Sequence, residues 1–277
     1  MRLGITLFTT DRTISAHELA AAAEERGFAS LYVPEHTHIP VSRRTPPPTG
    51  VDRLPEEYAR TTDPLIALAA AAAVTERIRL GTGVSLPAQR DPIVTAKAIA
   101  TLDRIAGGRF TLGVGYGWNA EEAADHGVPW KRRRAVVREH VLAMRELWTA
   151  EEASFKGEFV AFEASWSWPK PAARIPVLLG GAPGPTLFAH VAEYGDGWMP
   201  IGGAGIRAAL PALREACAAA GREPVPVVPF GTVPSREKLD HFASLGIEEV
   251  VLRVPAGERD DVLPVLDEYA RTYLPVT

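Results

Sequence analysis

A carboxylate and two imidazoles follow the second predicted strand, in the run Glu35-His36-Thr37-His38. Such side chains can transfer protons or bind a metal ion, and imidazole changes charge close to neutral pH. A metal site would need ligands from other strand ends, but the other five histidines fall in predicted helices or helix-entry loops. We therefore expect no metal, and favour proton transfer or cofactor contact by His36 over a purely hydrogen-bonding role for Glu35 and His36.

Glycines interrupt the ends of the third and fourth predicted strands, in Gly81-Thr82-Gly83-Val84 and Gly113-Val114-Gly115-Tyr116-Gly117. Glycine within a strand marks a bulge or a close approach to the backbone, so two such ends indicate a flat ligand lying against them. The segment from Gly115 to Ala120 also matches the G-x-G-x-x-A pattern of dinucleotide sites. That match is weak, because it follows the fourth strand and the position about 20 residues on falls in a predicted helix. A glycine-lined wall beside an aromatic cofactor is favoured.

The fifth predicted strand continues into Gly180-Gly181-Ala182-Pro183-Gly184-Pro185-Thr186, which opens directly into a helix. Free backbone N–H groups at a helix N-terminus attract anions, so a cofactor phosphate is favoured over a bare helix cap. A Walker lysine is absent, which disfavours nucleotide hydrolysis, and the missing G-x-S-x-G elbow disfavours a serine nucleophile. The basic run Lys131-Arg132-Arg133-Arg134 is interpreted as a solvated helix start, although its cations oppose the helix dipole and invite an anionic partner.

Eight short apolar segments alternate with eight segments of helical period along the chain. This count and the length of 277 residues predict a single (β/α)8 (TIM) barrel domain over residues 1–277, with a doubly wound open sheet as the alternative. The predicted strands are Leu3–Phe8, Ser30–Pro34, Ile78–Val84, Arg109–Val114, Pro176–Leu179, Gly197–Pro200, Val225–Phe230 and Glu249–Val254. The predicted helices are Ala16–Arg26, Pro64–Thr75, Pro92–Ile105, Arg132–Thr149, Thr186–Tyr194, Ile206–Ala220, Arg236–Leu245 and Asp260–Tyr273.

Two long segments interrupt this alternation. The first, Glu35 to Asp63, leaves the carboxyl end of the second strand, which is where barrel enzymes place their functional loops. The second, Ala150 to Ile175, is an insertion between the fourth helix and the fifth strand. It is predicted to form a hairpin, Ala153–Phe155 against Phe159–Phe162, followed by a tryptophan-containing loop. The part of the first segment from Thr37 to Thr62 and the loop carrying Trp166 and Trp168 are expected to close over a substrate.

Composition limits the class of protein. Lys and Arg number 30 against 34 Asp and Glu, so the net charge of −4 offers no field that would gather nucleic acid or an anionic membrane. The single cysteine, Cys217, excludes an intrachain disulfide framework and fits a reducing compartment. No secretory leader is visible, and the longest apolar run, Leu65 to Val74, is too short to span a bilayer. We expect a soluble cytoplasmic protein.

Taken together, these segments resemble the luciferase-like monooxygenase superfamily, and within it the coenzyme F420-dependent oxidoreductases. The likeness extends over nearly the whole chain and rests on the order and spacing of several stretches. The resemblance implies a (β/α)8 barrel with the deazaflavin ring over its carboxyl-terminal mouth. The matching stretches are Tyr32–Pro40, Arg79–Val84, Leu102–Arg109, Gly113–Trp118, Pro169–Pro171 and Gly195–Trp198.

The resemblance also implies roles for individual residues. His36 and Glu35 would be the catalytic residues: His36 as a proton donor or ring contact, and Glu35 near the deazaflavin ring, where it would tune His36 electrostatically. A non-proline cis peptide between Gly83 and Val84 would support that ring, and Leu86 would touch it. The remaining cofactor contacts would be Gly115, Tyr116 and Gly117 along the ring and Pro183, Gly184, Thr186 and Leu187 at the phosphate.

The implied activity is hydride transfer between the deazaflavin and a small organic substrate. Related sugar-phosphate dehydrogenases carry a catalytic glutamate where this chain has Trp118, which disfavours glucose-6-phosphate oxidation by that route. An apolar substrate is expected beside Trp118, in a pocket completed by His38, Trp166 and Trp168. The alternatives are an FMN-dependent monooxygenase on the same barrel and a deazaflavin-binding protein without catalysis. Homodimers are common in the resembled family, and one is expected here.

Overall fold

Seven parallel strands form the central sheet of the protein. The computed structural model describes residues 1–47 and 53–274 of the chain. The sheet strands are β1 (Arg2–Thr6), β2 (Ser30–Val33), β3 (Arg79–Thr82), β4 (Phe110–Val114), β7 (Val177–Gly180), β8 (Gly197–Met199) and β9 (Glu249–Arg253). Their spatial order is β8-β7-β4-β3-β2-β1-β9. Almost every residue in them is buried, which explains why these strands are continuous apolar runs in the sequence.

The seventh predicted strand, Val225–Phe230, closes this sheet without forming a regular strand. Isolated parallel bridges join the segment to β8 on one side and to β9 on the other, at Trp198–Val227, Ile201–Phe230 and Thr232–Leu252. Pro226 and Pro229 lack the N–H group that a continuous ladder needs, so only their carbonyl oxygens take part, as acceptors from Trp198 and Val251. The sheet therefore curls into the predicted barrel, although one of its eight strand positions is irregular.

Helices cover the outside of the sheet. All eight predicted helices are present with ends that differ by one or two residues, and a short ninth one, α4, was not predicted. Within the described ranges, no helix has both the length and the apolar character needed to cross a lipid bilayer. The helices are α1 (Ala16–Glu25), α2 (Pro64–Ala73), α3 (Pro92–Ile105), α4 (Ala120–Asp125), α5 (Arg133–Thr149), α6 (Pro185–Tyr194), α7 (Ile206–Ala219), α8 (Arg236–Ser244) and α9 (Arg259–Tyr273).

Side chains fill the inside of the barrel below its mouth, the edge formed by the carboxyl ends of the strands. Val84 and Phe230 follow strand segments at this edge, are partly buried and pack against the interior cluster. Because the interior is a packed core, a ligand of the barrel must bind at the mouth. The buried interior side chains are Tyr32, Leu178, Met199, Val228 and Val251.

The predicted hairpin is present in the insertion, as β5 (Ala153–Lys156) and β6 (Ala161–Ser165) paired antiparallel. It packs on the outer side of α5, where the Glu139 carboxylate accepts hydrogen bonds from the backbone N–H groups of residues 158–160. Helix α5 runs from the mouth back to the opposite edge of the barrel, so the insertion starts at the edge away from the mouth. Near the end of the insertion, Lys170 donates hydrogen bonds to the carbonyls of Leu147 and Ala150, which attaches this part of the insertion to the end of α5.

Candidate active site at the barrel mouth

Val84 is the point where the rims of three strands meet. A Cβ atom added to Gly115 would lie 2.5 Å from one Val84 methyl group, and one added to Gly180 would lie 3.0 Å from the other. A side chain at Gly115 would collide with Val84, and one at Gly180 would fit only if Val84 moved slightly. The peptide bond between Gly83 and Val84 is cis. The glycine-rich ends of β3, β4 and β7 thus form one cradle around Val84, as their pattern in the sequence suggests.

Glu35 anchors the loop that follows β3. Its buried carboxylate accepts hydrogen bonds from the Ser85 hydroxyl at 2.6 Å and from the Leu86 backbone N–H at 2.8 Å. The guanidinium of Arg90 donates to the other carboxylate oxygen and also to Asp63 at 2.6 Å. Burial alone would lower the pKa of Arg90, but the two carboxylates raise it above its ordinary value. Since both oxygens of Glu35 are engaged, its role in this structure is to position Leu86 beside the cradle.

His36 is held between a carboxylate and an indole. Its Nδ1 lies 2.8 Å from Glu122 Oε2, and its Nε2 lies 3.2 Å from Trp118 Nε1. An indole N–H can only donate, so Nε2 is the accepting nitrogen and Nδ1 carries the proton that points to Glu122. The His36 and Glu122 side chains are 7% and 1% exposed. This arrangement fixes one neutral tautomer of His36, with its basic nitrogen directed toward Trp118.

Aromatic rings surround His36 on its other sides. The Tyr58 ring lies 5.3 Å from the His36 ring and 6.0 Å from the Trp118 ring, centroid to centroid. Phe8 packs on Tyr58 at 4.8 Å, and the Arg43 guanidinium lies 5.6 Å from the Trp118 ring centroid. Burial raises the pKa of the Tyr58 hydroxyl. The surroundings of His36 are therefore largely apolar, which suits an apolar substrate.

Helix α4 holds the loop after β2, residues 36–47, across the mouth. The Glu121 carboxylate accepts from the Thr45 hydroxyl at 2.6 Å and from the Arg44 N–H at 2.9 Å, which lowers its pKa to about 2. His38 pairs with Asp125 at 2.9 Å and is 42% exposed, so it lies at the entrance rather than beside His36. In the described ranges, no three His, Cys, Asp or Glu side chains are grouped as a metal ion would require.

The start of α6 presents free backbone donors. Gly184 occupies the N-cap position in an extended conformation, and no described side chain caps the helix there. A Cβ on Gly184 would meet nothing within 4 Å. Thr186 is exposed, and Leu187 is buried against Gly181. The N–H groups of Thr186 and Leu187 can therefore donate hydrogen bonds to an anion.

Tyr116 lies between the cradle and α6. Its hydroxyl is 3.0 Å from the Tyr194 hydroxyl and 3.1 Å from His190 Nδ1, and its side chain is buried. Burial raises the pKa values of both tyrosines. The next residue, Gly117, has a φ of +74°, a conformation that favours glycine and turns the chain so that Trp118 reaches His36. Tyr116 thus packs against α6, and only the backbone of this loop faces the cradle.

Trp166 and Trp168 lie apart from this site, which corrects the expectation that they complete the substrate pocket. They are 75% and 57% exposed on the outer wall of the barrel. Lys97 of α3 donates to the Trp168 carbonyl, and the Lys170 ammonium lies 5.1 Å from the Trp168 ring centroid. The reason is the direction of the chain, because the insertion starts at the edge of the barrel opposite the mouth.

Three residues of the site were missed from the sequence: Glu122, Tyr58 and Arg90. A signal existed for Glu122, because the spacing Asn119-x-x-Glu122 is that of a helix N-cap and its third residue, and Asn119 does cap α4. No comparable signal marks Tyr58, which lies in a single 3₁₀ turn of the long loop. Arg90 is one of many arginines, and only the fold brings it to Glu35.

Comparisons with known sequences identify the family of the chain. A family model described as luciferase-like monooxygenase matches residues 2–244. An uncharacterized protein of Mycobacterium tuberculosis is 47% identical over 275 residues, which cover 98% of each chain. The F420-dependent glucose-6-phosphate dehydrogenase of Nakamurella multipartita is 33% identical over 221 residues, covering 74% of this chain and 58% of that enzyme.

Solved structures of similar fold include two oxidoreductases. A monooxygenase of Streptomyces bottropensis superposes with a TM-score of 0.80 and 23% identity, covering 99% of both chains. An F420-dependent secondary alcohol dehydrogenase in complex with an F420–acetone adduct superposes with a TM-score of 0.76 and 19% identity, covering 98% of both chains. These likenesses establish the luciferase-like barrel fold.

Proposed function

The chain belongs to the luciferase-like monooxygenase family, and on that premise we propose that it is an oxidoreductase that uses coenzyme F420. In this proposal a hydride passes between the deazaflavin and a small organic substrate. The observation that carries the proposal is the glycine cradle around Val84, where the glycines let Val84 sit between the strand ends and a planar ring would lie against it.

The residues of the mouth fit such a cofactor. Val84, Leu86 and Gly115 would hold the ring, and the free N–H groups of Thr186 and Leu187 would hold the phosphate. The bound deazaflavin would supply the redox chemistry, while the protein supplies binding, orientation and an environment with little water. Glu35 supports the ring side of this site by fixing the backbone of Leu86.

His36 is the residue proposed to move a proton. Its Nε2 is the basic nitrogen of a neutral imidazole, so it can accept the proton of a substrate hydroxyl when the hydroxyl replaces the Trp118 indole as its partner. The buried Glu122 carboxylate, 2.8 Å from Nδ1, would stabilise the imidazolium that results. In the opposite direction of the reaction, the same imidazolium would return the proton to the oxygen atom of a carbonyl substrate.

The surroundings of His36 favour a small substrate that carries a hydroxyl or carbonyl group on an apolar body. Trp118 and Tyr58 would contact the apolar part. Trp118 also replaces the glutamate of the sugar-phosphate dehydrogenases, so the acid–base chemistry would rest on His36 alone. We therefore propose an alcohol or a ketone as substrate, in preference to a sugar phosphate.

A binding experiment tests the cofactor directly. Oxidised coenzyme F420 and oxidised FMN are titrated in parallel into the purified protein, and binding is followed by cofactor fluorescence. We expect tight binding of F420 and negligible binding of FMN. A Gly115→Val variant should lose F420 binding, since its side chain would enter the space of Val84.

Other outcomes of the titration would replace the proposal. Tight FMN binding with oxygen-dependent turnover would identify a monooxygenase. Tight F420 binding without cofactor reduction or oxidation above background, for a panel of alcohols and ketones, would identify a carrier. Failure to bind either cofactor would overturn the proposal.

A further inference from the structure

Two arginines at the start of α5 carry buried nitrogen atoms without a hydrogen-bond partner. These atoms are Nε of Arg133 and Nη1 of Arg134, and none of the described residues accepts from them. Their neighbours along the chain differ, because Arg132 pairs with Glu158 at 2.7 Å and Arg138 pairs with Glu193. A buried cationic donor without an acceptor destabilises the protein, so two such donors side by side indicate that an anion binds to them.

Stacking holds both guanidinium groups in place. The Arg133 guanidinium lies 3.8 Å from the Trp130 ring centroid, and the Arg134 guanidinium lies 4.4 Å from the Tyr116 ring centroid. A guanidinium with one face against an aromatic ring keeps its N–H groups free along its edge, where carboxylates and phosphates bind. Burial and the adjacent Arg134 lower the pKa of Arg133, so the two like charges are close together.

Arg134 lies beside the second half of α6, to which the Tyr116 ring connects it. Tyr116, under Arg134, reaches His190 of α6 through its hydroxyl at 3.1 Å. His190 comes four residues after Thr186, so it lies about 6 Å along the helix axis from the free N–H group of that residue. Burial and the nearby Arg134 charge lower the pKa of His190.

We propose that Arg133 and Arg134 form an anion subsite for the carboxylate-bearing glutamyl extension of a deazaflavin cofactor, beyond the phosphate held at α6. This inference rests on the proposed function. The subsite gives a physical reason for cofactor choice, because FMN ends at its phosphate and would leave Nε of Arg133 and Nη1 of Arg134 without an acceptor, although Nη1 of Arg133 donates to the Trp130 carbonyl at 3.0 Å.

The test compares three probes on wild-type protein and on variants by fluorescence titration. The probes are coenzyme F420 with its glutamyl tail, the same cofactor without glutamates, and the deazaflavin headgroup without phosphate. We expect Arg134→Met to weaken binding of the full cofactor about tenfold, which corresponds to about 1.4 kcal/mol. Binding of the headgroup should stay unchanged. Arg134→Lys should retain part of the affinity, and Arg104→Met, on the exposed end of α3, should match the wild type.

The outcomes separate this subsite from the proposed function. If the wild type binds the headgroup but Arg134→Met and Arg133→Met bind the full cofactor as well as the wild type does, the subsite is overturned and the cofactor assignment stands. Equal losses for all three probes would show that Arg134 acts through the packing of Tyr116, which also overturns it. A wild type that binds none of the probes would overturn the proposed function and the subsite together.

Discussion

The β2 loop (residues 36–47) and the insertion (residues 150–175) both depart from the regular alternation of strand and helix, and both contain features typical of a lid. In the structure only the loop reaches the mouth. It is held there by charged groups that are buried, with Glu35 and Glu122 side chains each 1% exposed. The insertion is held by exposed pairs such as Arg132–Glu158, whose side chains are 52% and 58% exposed.

The difference follows from the direction of the chain in a parallel barrel. A segment that leaves a strand begins at the mouth, whereas a segment that leaves a helix begins at the opposite edge. Carboxylates also act differently in the two places. Buried ones must be fully paired and therefore fix atoms precisely, while exposed ones contribute little to stability.

The largest effect that separates the two regions is expected for His36→Ala. Loss of the proposed proton acceptor should lower kcat by about 10²- to 10⁴-fold. Affinity for the cofactor should change little, as measured by titration. The matched change in the insertion, Trp168→Ala, should leave kcat unchanged. A comparable loss in Trp168→Ala would mean that the insertion contacts the substrate after all.

Stability should separate the regions as well. Glu35→Ala leaves Arg90 with only Asp63 as a partner, and breaking such a buried pair should cost about 3 kcal/mol of unfolding free energy. Glu158→Gln in the insertion should cost under about 1 kcal/mol, since its pair with Arg132 is exposed. Urea denaturation measures both. Equal losses of unfolding free energy in the two variants would contradict the view that burial makes the ion pairs at the mouth more important for stability than those of the insertion.

Two helix carboxylates provide a finer comparison. Glu122→Gln removes the charge opposite His36 Nδ1 and should lower kcat about tenfold, the scale of one charge-assisted hydrogen bond, with KM nearly constant. Glu139→Gln, which loosens only the hairpin, should leave kcat at the wild-type value. In a His36→Ala background, Glu122→Gln should have no further effect on kcat. Additive losses would show that Glu122 does not act through His36.

The smallest effect concerns the pH dependence of the loop's attachment. The pKa of Glu121 falls from its ordinary 4.5 to about 2 in the folded protein, because Thr45 and Arg44 bond its charged form. A lowered acid pKa stabilises the folded state above pH 4.5, and that contribution is lost as the pH falls toward 2. The Tm difference between wild type and Glu121→Gln should therefore be largest above pH 4.5 and vanish near pH 2. A constant difference across this range would contradict the assignment.

Much of the fold could be predicted because its signals are local. The continuous apolar strands, the eight predicted helices and the hairpin of the insertion all appear where the sequence indicates them. The exception is the irregular seventh strand position, where prolines remove the donors that a ladder needs. For the site, the predicted glycines, His36 and Trp118 meet at the mouth, but Trp166 and Trp168 do not.

The sequence by itself determined the kinds of element, the strand ends that carry glycine, and the presence of an imidazole after β2. These properties are local: they depend on residues a few positions apart, and the spacing of apolar side chains distinguishes a helix from a strand. Only the tertiary structure decided that Glu122, 86 residues from His36, orients its ring, and that Glu35 pairs with Arg90. Such contacts depend on how distant loops are brought together. A buried charge must be paired, and only the fold decides which residue lies close enough to pair with it.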